Sequence, residues 1–346
     1  MASVDVTVRG GGIFGLAVAW ACARRGARVR LIETARIGAG ASGGLVGALA
    51  PFAPEGWNAL KAFQLDSLLM AEAWWGAVAA AGGVDPLYRR SGRLQPLADA
   101  AAVAAARQRA DAARDLWQGR AEWRVVAAAG AAWEPASPTG LLVEDTLTAR
   151  LSPRAAGAAL VAALRAAGAE IVIGDAPEDG AVVHATGAAG LADLSADFGR
   201  KLGAGVKGQA VLLRHDAAAL PQIYAGGLHV VPHGDGTVAI GSTSETDWQV
   251  AGPDEQAEAL VARARAVMPA LAAAPVLERW AGVRPRAKSR GPVLGAWPGR
   301  PGHFVANGGF KIGFGLAPKA AEGMADLILN GNFDIPDRFS VEALLG

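Results

Sequence analysis

The sequence predicts an α/β protein of two domains, a Rossmann-like domain and a second, mainly antiparallel-sheet domain. Three observations predict this α+β two-domain class. Residues 4–33 follow a pattern of strand, glycine turn, helix and strand. A helix and two buried strands resume that pattern over residues 153–187. Strand-like runs separated by short turns then occupy residues 208–241, as is typical of an antiparallel sheet.

Composition limits the class of protein. Of the 346 residues, 52% are hydrophobic and 19% are charged, which predicts a compact protein. The chain is longer than the roughly 250–300 residues that a single core usually reaches, so two domains are expected. A net charge of +1 gives no electrostatic reason to expect nucleic acid or an anionic membrane as the main partner. Cys22 is the only cysteine, so no internal disulfide can form. Without a secretory signal or membrane span, we expect a cytoplasmic protein.

The opening 33 residues predict a βαβ unit. Residues 4–8 are a short β-branched run, and an alanine-rich helix extends from the glycines to about Arg25. Gly26 ends that helix, and residues 27–33 alternate as a second strand. A strand that returns through a helix pairs in parallel with the first.

The next elements are two helices and a return to the first fold. Helical spacing covers residues 64–81, and a helix at about 99–120 lies within an insertion over residues 85–138. Ser152 before Pro153 is a good helix start, and the helix continues to residue 167. Residues 171–173 and 181–185 are then predicted as buried strands.

The second half predicts the antiparallel sheet and the last helix. Strand-like runs cover residues 208–213, 229–232 and 237–241, and a helix at about 254–268 follows. A strand at 303–306 and a helix at 318–329 are the last predicted elements. We therefore expect residues 1–80, 141–205 and 275–346 to form a discontinuous cofactor domain, and residues 81–140 and 206–274 to form a substrate domain.

A phosphate-binding turn lies between the first strand and helix. Gly10, Gly12 and Gly15 form a GxGxxG motif, and Glu33 ends the next strand. The first two glycines allow a pyrophosphate to approach the backbone, the third lets helix and strand pack, and the helix amino terminus attracts the phosphate charge. Glu33 is placed to accept hydrogen bonds from ribose hydroxyls and disfavours a 2′-phosphate. FAD or NAD is therefore expected rather than NADP.

Short segments spread along the chain resemble the D-amino acid oxidase family of FAD-dependent oxidoreductases, especially its glycine oxidase and sarcosine oxidase branch. They occur in the family's order, although residues 82–140 are not distinctive. The segments are residues 40–44, 47–51, 185–187, 241–243, 280–285 and 308–318.

The resemblance implies a noncovalently bound FAD, held by separated stretches. Covalent attachment is not supported because Cys22 lies in the first helix and no histidine precedes His184. The residues expected to bind the cofactor are Gly10, Gly12, Ile13, Phe14, Gly15, Glu33, Thr34, Ala41, Ser42, Val46, Gly47, Ala48, Gly187, Gly309, Phe310, Lys311, Ile312, Gly313, Phe314 and Gly315.

Three residues are expected in the active site. Arg284 aligns with the arginine that holds the substrate carboxylate, a role suited to the paired N–H donors of a guanidinium. Lys311 lies in the segment that contacts the flavin pyrimidine edge, where reduction adds negative charge. His229 occupies the position where the branch often has a tyrosine, so it is either a substrate ligand or a structural side chain.

The resemblance implies oxidation of the C–N bond of a small amino acid or secondary amine, by hydride transfer to flavin N5. The acceptor is oxygen or another oxidant, and the oligomeric state stays open, a homo-oligomer included. Three alternatives remain: an FAD enzyme acting on a larger substrate such as a modified tRNA wobble side chain, an NAD-dependent dehydrogenase, and a non-catalytic flavoprotein subunit.

Overall fold

The computed structural model describes residues 4–332 and 334–346. The described residues form eight α-helices: α1 (Ile13–Ala23), α2 (Ala59–Gly82), α3 (Ala100–Trp117), α4 (Pro153–Ala166), α5 (Gly187–Asp197), α6 (Glu255–Val267), α7 (Gly313–Asn330) and α8 (Val341–Leu345).

They also form sixteen strands in three sheets. The strands are β1 (Val6–Arg9), β2 (Val29–Glu33), β3 (Ala48–Leu49), β4 (Arg93–Pro96), β5 (Trp123–Ala127), β6 (Leu141–Asp145), β7 (Ala149–Arg150), β8 (Glu170–Ile173), β9 (Ala181–His184), β10 (Gly203–Arg214), β11 (Gln222–Ala225), β12 (Leu228–Pro232), β13 (Thr237–Gly241), β14 (Val276–Ala287), β15 (Val293–Ala296) and β16 (His303–Asn307).

The first sheet has six strands in the order β15-β16-β9-β1-β2-β8. β1 pairs in parallel with β2 and with β9, which confirms the predicted βαβ unit and the later return of the chain to the same sheet. Only β15 runs antiparallel, at the edge beside β16. All eleven residues of α1 are buried, because the helix packs on this sheet and also contacts α4 and α7.

The second sheet has eight strands in the order β14-β10-β13-β12-β11-β4-β6-β5. Its pairs are antiparallel except for β4 beside β11, so the predicted mainly antiparallel layer is confirmed. Helix α6 covers one face through Leu260 and Val261, which pack in a core with Ile240 of β13. The two sheets, each with its own helices, confirm the predicted pair of a Rossmann-like domain and a mainly antiparallel-sheet domain.

Sheet membership differs from the predicted division of the chain at two places. β6 and β14 belong to the eight-stranded sheet, although residues 141–205 and 275–346 were assigned to the cofactor domain. β6 bridges β4 and β5, and β14 pairs with β10 along most of its length. The chain therefore crosses between the sheets within these segments, and the remainder of the division stays a prediction.

Two helices differ from the sequence prediction for local reasons. α2 begins five residues earlier than expected, because the Asn58 side chain accepts hydrogen bonds from the N–H groups of Leu60 and Lys61. α5 was not predicted, since Gly187 and Gly190 lower the helix propensity of this short segment.

Within residues 4–332 and 334–346, no helix is both long and apolar enough to cross a bilayer. The same residues contain no group of three or more histidine, cysteine or acidic side chains that could hold a metal ion.

The last residue of α2 gives a test of the helix packing. A methyl group at Gly82 would lie 2.5 Å from the backbone nitrogen of Ala163 in α4, so Gly82→Ala must push the two helices apart. We expect a loss of about 1–3 kcal/mol in the free energy of unfolding, measured by urea denaturation.

The matched control is Gly76→Ala, in the same helix, where an added methyl group meets open space. This variant should be more stable than the parent by about 0.5–1 kcal/mol, the helix propensity of alanine over glycine. Equal effects of the two substitutions would contradict the packing described.

Candidate active site

One cavity of about 1390 Å³ opens at the carboxyl ends of β1, β2 and β9 and extends along the eight-stranded sheet. Gly15 and Gly315 are the predicted site residues that do not line it. The lining includes all the others, namely Gly10, Gly12, Ile13, Phe14, Glu33, Thr34, Ala41, Ser42, Val46, Gly47, Ala48, Gly187, His229, Arg284, Gly309, Phe310, Lys311, Ile312, Gly313 and Phe314.

The glycine turn packs too closely against neighbouring backbone to admit side chains at Gly10 and Gly15. Gly10 has a φ of +110°, and a methyl group on it would lie 2.4 Å from the carbonyl oxygen of Ala185 in the segment after β9. A methyl group on Gly15 would lie 1.9 Å from the carbonyl oxygen of Gly10. Gly15 therefore packs α1 against the turn and does not face the cavity, as expected of the third glycine of the motif.

Glu33 and Ser42 complete the edge of this turn. The carboxylate of Glu33, at the end of β2, accepts hydrogen bonds from the N–H of Gly11 at 2.7 Å and of Ala35 at 3.0 Å. The Ser42 hydroxyl oxygen accepts the N–H of Ile13 at 2.9 Å, at the start of α1. The Ser42 proton remains available to donate to an anion at the helix amino terminus.

The loop before β3 brings backbone to the middle of the cavity. Gly47 has a φ of +65°, and a methyl group there would lie 1.9 Å from the carbonyl oxygen of Leu151. His233 Nε2 lies 3.1 Å from the Val46 carbonyl oxygen and donates to it. Sequence reasoning missed His233, because nothing near residue 233 indicates a contact with a loop almost two hundred residues earlier.

The segment at the start of α7 forms a second tight turn. Phe310 has a φ of +44°, and its N–H donates to the carbonyl of Pro285 in β14 at 3.2 Å. The turn leads into Gly313, where α7 begins with its amino terminus at the cavity. Gly315 lies in the first turn of α7, on the side away from the cavity, where it faces Leu68 of α2.

Arg284 is a buried cation whose hydrogen bonds are incomplete. Its side chain is only 8% exposed, and Nη1 donates to the carbonyl of Thr243 at 3.0 Å. Among the described residues, no carboxylate lies within ion-pair distance of it. Burial lowers the pKa of Arg284 to about 10, against the opposing charge of Glu245, so the guanidinium is still protonated at neutral pH.

Gly208 makes room for this guanidinium. A methyl group on Gly208, which pairs with Gly282 across β10 and β14, would lie 1.8 Å from Arg284 Nη1. A buried charge without a counter-ion costs free energy. The arrangement therefore favours an anionic ligand beside Arg284.

A buried polar network holds the Thr243 carbonyl that Arg284 contacts. The Thr243 hydroxyl donates to Glu245 and accepts the N–H of Gln209 at 2.8 Å. Glu245 forms an ion pair at 3.2 Å with Lys207, whose side chain is 1% exposed. Sequence reasoning missed this network. The available signal was the pair of polar residues, Lys207 and Gln209, on either side of Gly208 at the start of a predicted strand.

Lys311 is exposed at the cavity wall. Its pKa is lowered, first by burial and then by the positive charges of Arg284 and Arg286. Among the described residues it has no acidic partner, and its ammonium lies 5.6 Å from the centre of the Phe310 ring. Lys311 and Arg284 thus give one end of the cavity a positive potential.

His229 faces a tyrosine that the sequence analysis did not select. Tyr224 in β11 is the direct partner of His229 in β12, and their rings lie 4.6 Å apart. Both line the cavity. Burial lowers the pKa of His229 to about 4, with smaller contributions from Arg93 and Lys311. The Gly226-Gly227 pair, a two-residue hairpin turn, was the signal that could have paired these two residues.

A Rossmann-type sheet with a glycine cradle, joined through one cavity to a mainly antiparallel sheet, defines a dinucleotide-binding protein with a separate substrate compartment. The particular family follows from comparison with known proteins. The model of the DAO family, described as FAD dependent oxidoreductase, matches residues 5–327. The chain belongs to this family.

Several glycine oxidases are similar to this chain. That of Geobacillus kaustophilus is 29% identical over 368 residues, covering 94% of this chain and 92% of the relative. The crystal structure of glycine oxidase from that organism superposes with a TM-score of 0.81, at 26% identity and 97% coverage of both chains. The match to glycine oxidase of Pseudomonas aeruginosa is 36% identical over 125 residues, 36% of this chain and about a third (34%) of the relative.

Iminodiacetate oxidase from Chelativorans sp. BNC1 shares the fold, with a TM-score of 0.84 at 22% identity and 97% coverage of this chain.

Family membership makes FAD the dinucleotide to test against this cavity, and the residues present fit it. Gly10 and Gly12 line the cavity at the helix start, where a pyrophosphate would lie, and Glu33 lines it at the strand end, where a ribose would lie. The cavity continues past the amino terminus of α7 and the Lys311 side chain, which suit a ring that gains negative charge.

The buried imidazole of His229 predicts a pH dependence of stability. Its pKa is about 4 in the folded protein, below the usual 6.5, so the unfolded chain takes up a proton at a higher pH than the folded one. The stability that depends on neutral His229 is therefore present above pH 6.5 and is lost as the pH falls towards 4. We expect the free-energy advantage of the parent over His229→Gln to be about 2 kcal/mol smaller at pH 5 than at pH 7.

Chemical unfolding of both proteins at the two pH values measures this difference. His184, whose pKa is also lowered to about 4, remains in both proteins and cancels in the comparison. A difference that does not change between pH 7 and pH 5 would contradict a neutral buried His229.

Proposed function

We propose that this protein oxidises the C–N bond of a small amino acid or secondary amine, with FAD bound noncovalently. The observation that carries the proposal is Arg284, a buried guanidinium without a counter-ion in the cavity that also holds the glycine cradle. When bound, FAD supplies the chemistry, accepting a hydride from the carbon that bears the amine.

Arg284 orients the substrate. Nη1 already donates to the Thr243 carbonyl, and the described residues provide no acceptor for Nε and Nη2. A substrate carboxylate completes these hydrogen bonds and neutralises the charge, which offsets the cost of burying the guanidinium. Since the carboxylate is fixed, the α-carbon of the substrate is held in one orientation for transfer.

Lys311 and the turn at residues 309–313 stabilise negative charge on the cofactor side. The pKa of Lys311 is lowered first by burial and then by the positive charges of Arg284 and Arg286, and added negative charge nearby offsets both effects. His229 is neutral at physiological pH, so it contributes a hydrogen bond and no charge. Because the compartment is already positive, the amine enters in its neutral form. A neutral amine needs no side-chain base to remove a proton.

Noncovalent binding is proposed from the position of the nucleophiles. Cys22 is buried inside α1, away from the cavity lining, and burial raises the pKa of its thiol to about 12. His184 lines the cavity, but its Nε2 is 3.0 Å from Nδ1 of His303 and is occupied by that contact. The single unpaired cysteine also agrees with the proposed location in a reducing cytoplasm.

Anaerobic titration of the yellow protein tests the function. We expect glycine, sarcosine, proline or a D-amino acid to bleach the flavin band near ~450 nm without oxygen, because the cofactor takes both electrons. A yellow protein that no amine bleaches would contradict the proposal and favour a larger substrate. Reoxidation by air or by an artificial acceptor then distinguishes an oxidase from a dehydrogenase.

Arg284→Lys tests the carboxylate contact. Lysine keeps the charge and loses the fork of two parallel N–H donors, so we expect kcat/KM for the best amine to fall by about a hundredfold, mostly through KM. The measurement is steady-state kinetics, with flavin content as the check on folding. Arg290→Lys is the matched control in the same cavity, since Arg290 is exposed; an equal loss in both variants would rule out a specific role for Arg284.

Gly208→Ala tests the same contact without changing a polar group. The added methyl group must displace the end of the Arg284 side chain, which is flexible, so the protein should fold while its affinity for carboxylates falls about tenfold. Benzoate or acetate titration of the flavin spectrum measures the affinity. An unchanged dissociation constant would show that Arg284 does not bind the ligand carboxylate.

A further inference from the structure

We infer that the substrate carries a second anionic group, a carboxylate separated from the amine by a chain of methylenes, and that Arg93 and Tyr224 bind it. This inference rests on the proposed function, in which Arg284 holds the first carboxylate.

Arg93 is a second buried guanidinium in the cavity wall. It is 5% exposed, lies in β4 and lines the same cavity as Arg284. Its Nε donates to Asp145 at 2.8 Å, and the described residues provide no hydrogen-bond acceptor for Nη1 and Nη2. A buried guanidinium whose two terminal nitrogens lack acceptors is suited to bidentate binding of a carboxylate.

Tyr224 lies beside Arg93 on the same wall. β11 is the neighbour of β4 in the sheet, and the Arg93 guanidinium carbon is 5.7 Å from the centre of the Tyr224 ring. Within the described chain, the Tyr224 hydroxyl has no hydrogen-bond partner, although the residue lines the cavity. A phenol and a guanidinium side by side provide three donors for one carboxylate.

The strand order separates this second site from the first. Arg284 is in β14 and Arg93 in β4, with β10, β13, β12 and β11 between them. Neighbouring strands lie about 4.8 Å apart, and five such spacings separate β14 from β4, so the two backbones lie on opposite sides of the compartment. Both long side chains line the same cavity and therefore reach into it. Two anionic groups of one small molecule can occupy both sites only if an extended chain joins them.

Cations line the compartment from one site to the other. Arg93 and Lys311 both lower the pKa of His229, and Arg284 lowers that of Lys311, so each cation lies within electrostatic reach of the next. The acidic residues that line the cavity are Glu33 and Asp193, both outside the eight-stranded sheet. Arg93 is paired with Asp145 through Nε, whereas Arg284 and Lys311 have no acidic partner among the described residues. One carboxylate therefore leaves the compartment positive, and a ligand with two is favoured.

The test compares ligands that differ only in the second charge. The probes are the α,ω-dicarboxylates from succinate to suberate and their monoamides, titrated into the yellow protein by calorimetry. At one chain length we expect the dicarboxylate to bind at least about tenfold more tightly than its monoamide. Equal affinities at every length would overturn the inference.

Variants then locate the second site. Tyr224→Phe removes one hydroxyl and Arg93→Lys keeps the charge, and each should reduce the preference for the dicarboxylate several-fold while leaving monoamide affinity unchanged. Arg109→Lys is the matched control, a cavity arginine whose donors are already paired with Glu55 at 2.8 and 2.9 Å. An equal reduction in all three would overturn the assignment, and Tyr224→Phe decides it if Arg93→Lys does not fold.

Kinetics separate this inference from the proposed function. N-(carboxyalkyl)glycines and their amides are compared for anaerobic bleaching of the flavin. Oxidation of both at equal kcat/KM would leave the amine oxidation intact and overturn the second anion site. If neither is oxidised while the dicarboxylate preference persists in calorimetry, the second site stands and the reaction class is wrong.

Discussion

The burial of the Arg284 charge is the constraint on which the substrate compartment depends. A guanidinium that is 8% exposed and lacks a carboxylate partner requires a fixed surrounding. Gly208 provides the space, the Thr243 carbonyl provides one acceptor, and Lys207, Gln209 and Glu245 hold that acceptor in place. The long pairing of β10 with β14 places the arginine and its supporting residues on one rigid surface.

The second requirement is that two sheets meet along one cavity. The six-stranded sheet contributes strand ends and helix starts, which supply N–H groups, and the eight-stranded sheet contributes side chains with fixed charges. Segments such as residues 44–50 and 308–313 pass between them, and their glycines, Gly44, Gly47, Gly308, Gly309 and Gly313, let backbone reach the cavity. In the function proposed above, binding of the cofactor and orientation of the substrate are therefore assigned to different layers of the molecule.

Much of the first layer could be predicted from sequence because its signals are local. The glycine turn, the helix after it and the acid at the end of β2 lie within 24 residues of one another. The second layer depends on pairings between distant residues. Tyr224 and His229 face each other only through the hairpin, and Arg93 joins them through a parallel pairing with β11 that no local pattern indicates. β14 was missed because Gly282 and Pro285 interrupt its strand pattern.

The complete burial of α1 connects cofactor binding with the integrity of the fold. The helix whose amino terminus forms the phosphate cradle is also surrounded on its remaining sides by the sheet, α4 and α7. A bound dinucleotide is thus in direct contact with the largest apolar core, and its affinity adds to the free energy of unfolding in proportion to the logarithm of the free ligand concentration. With the noncovalent cofactor proposed above, a copy of the chain that lacks it is expected to unfold more readily, and to be cleaved by proteases sooner, than a copy that holds it.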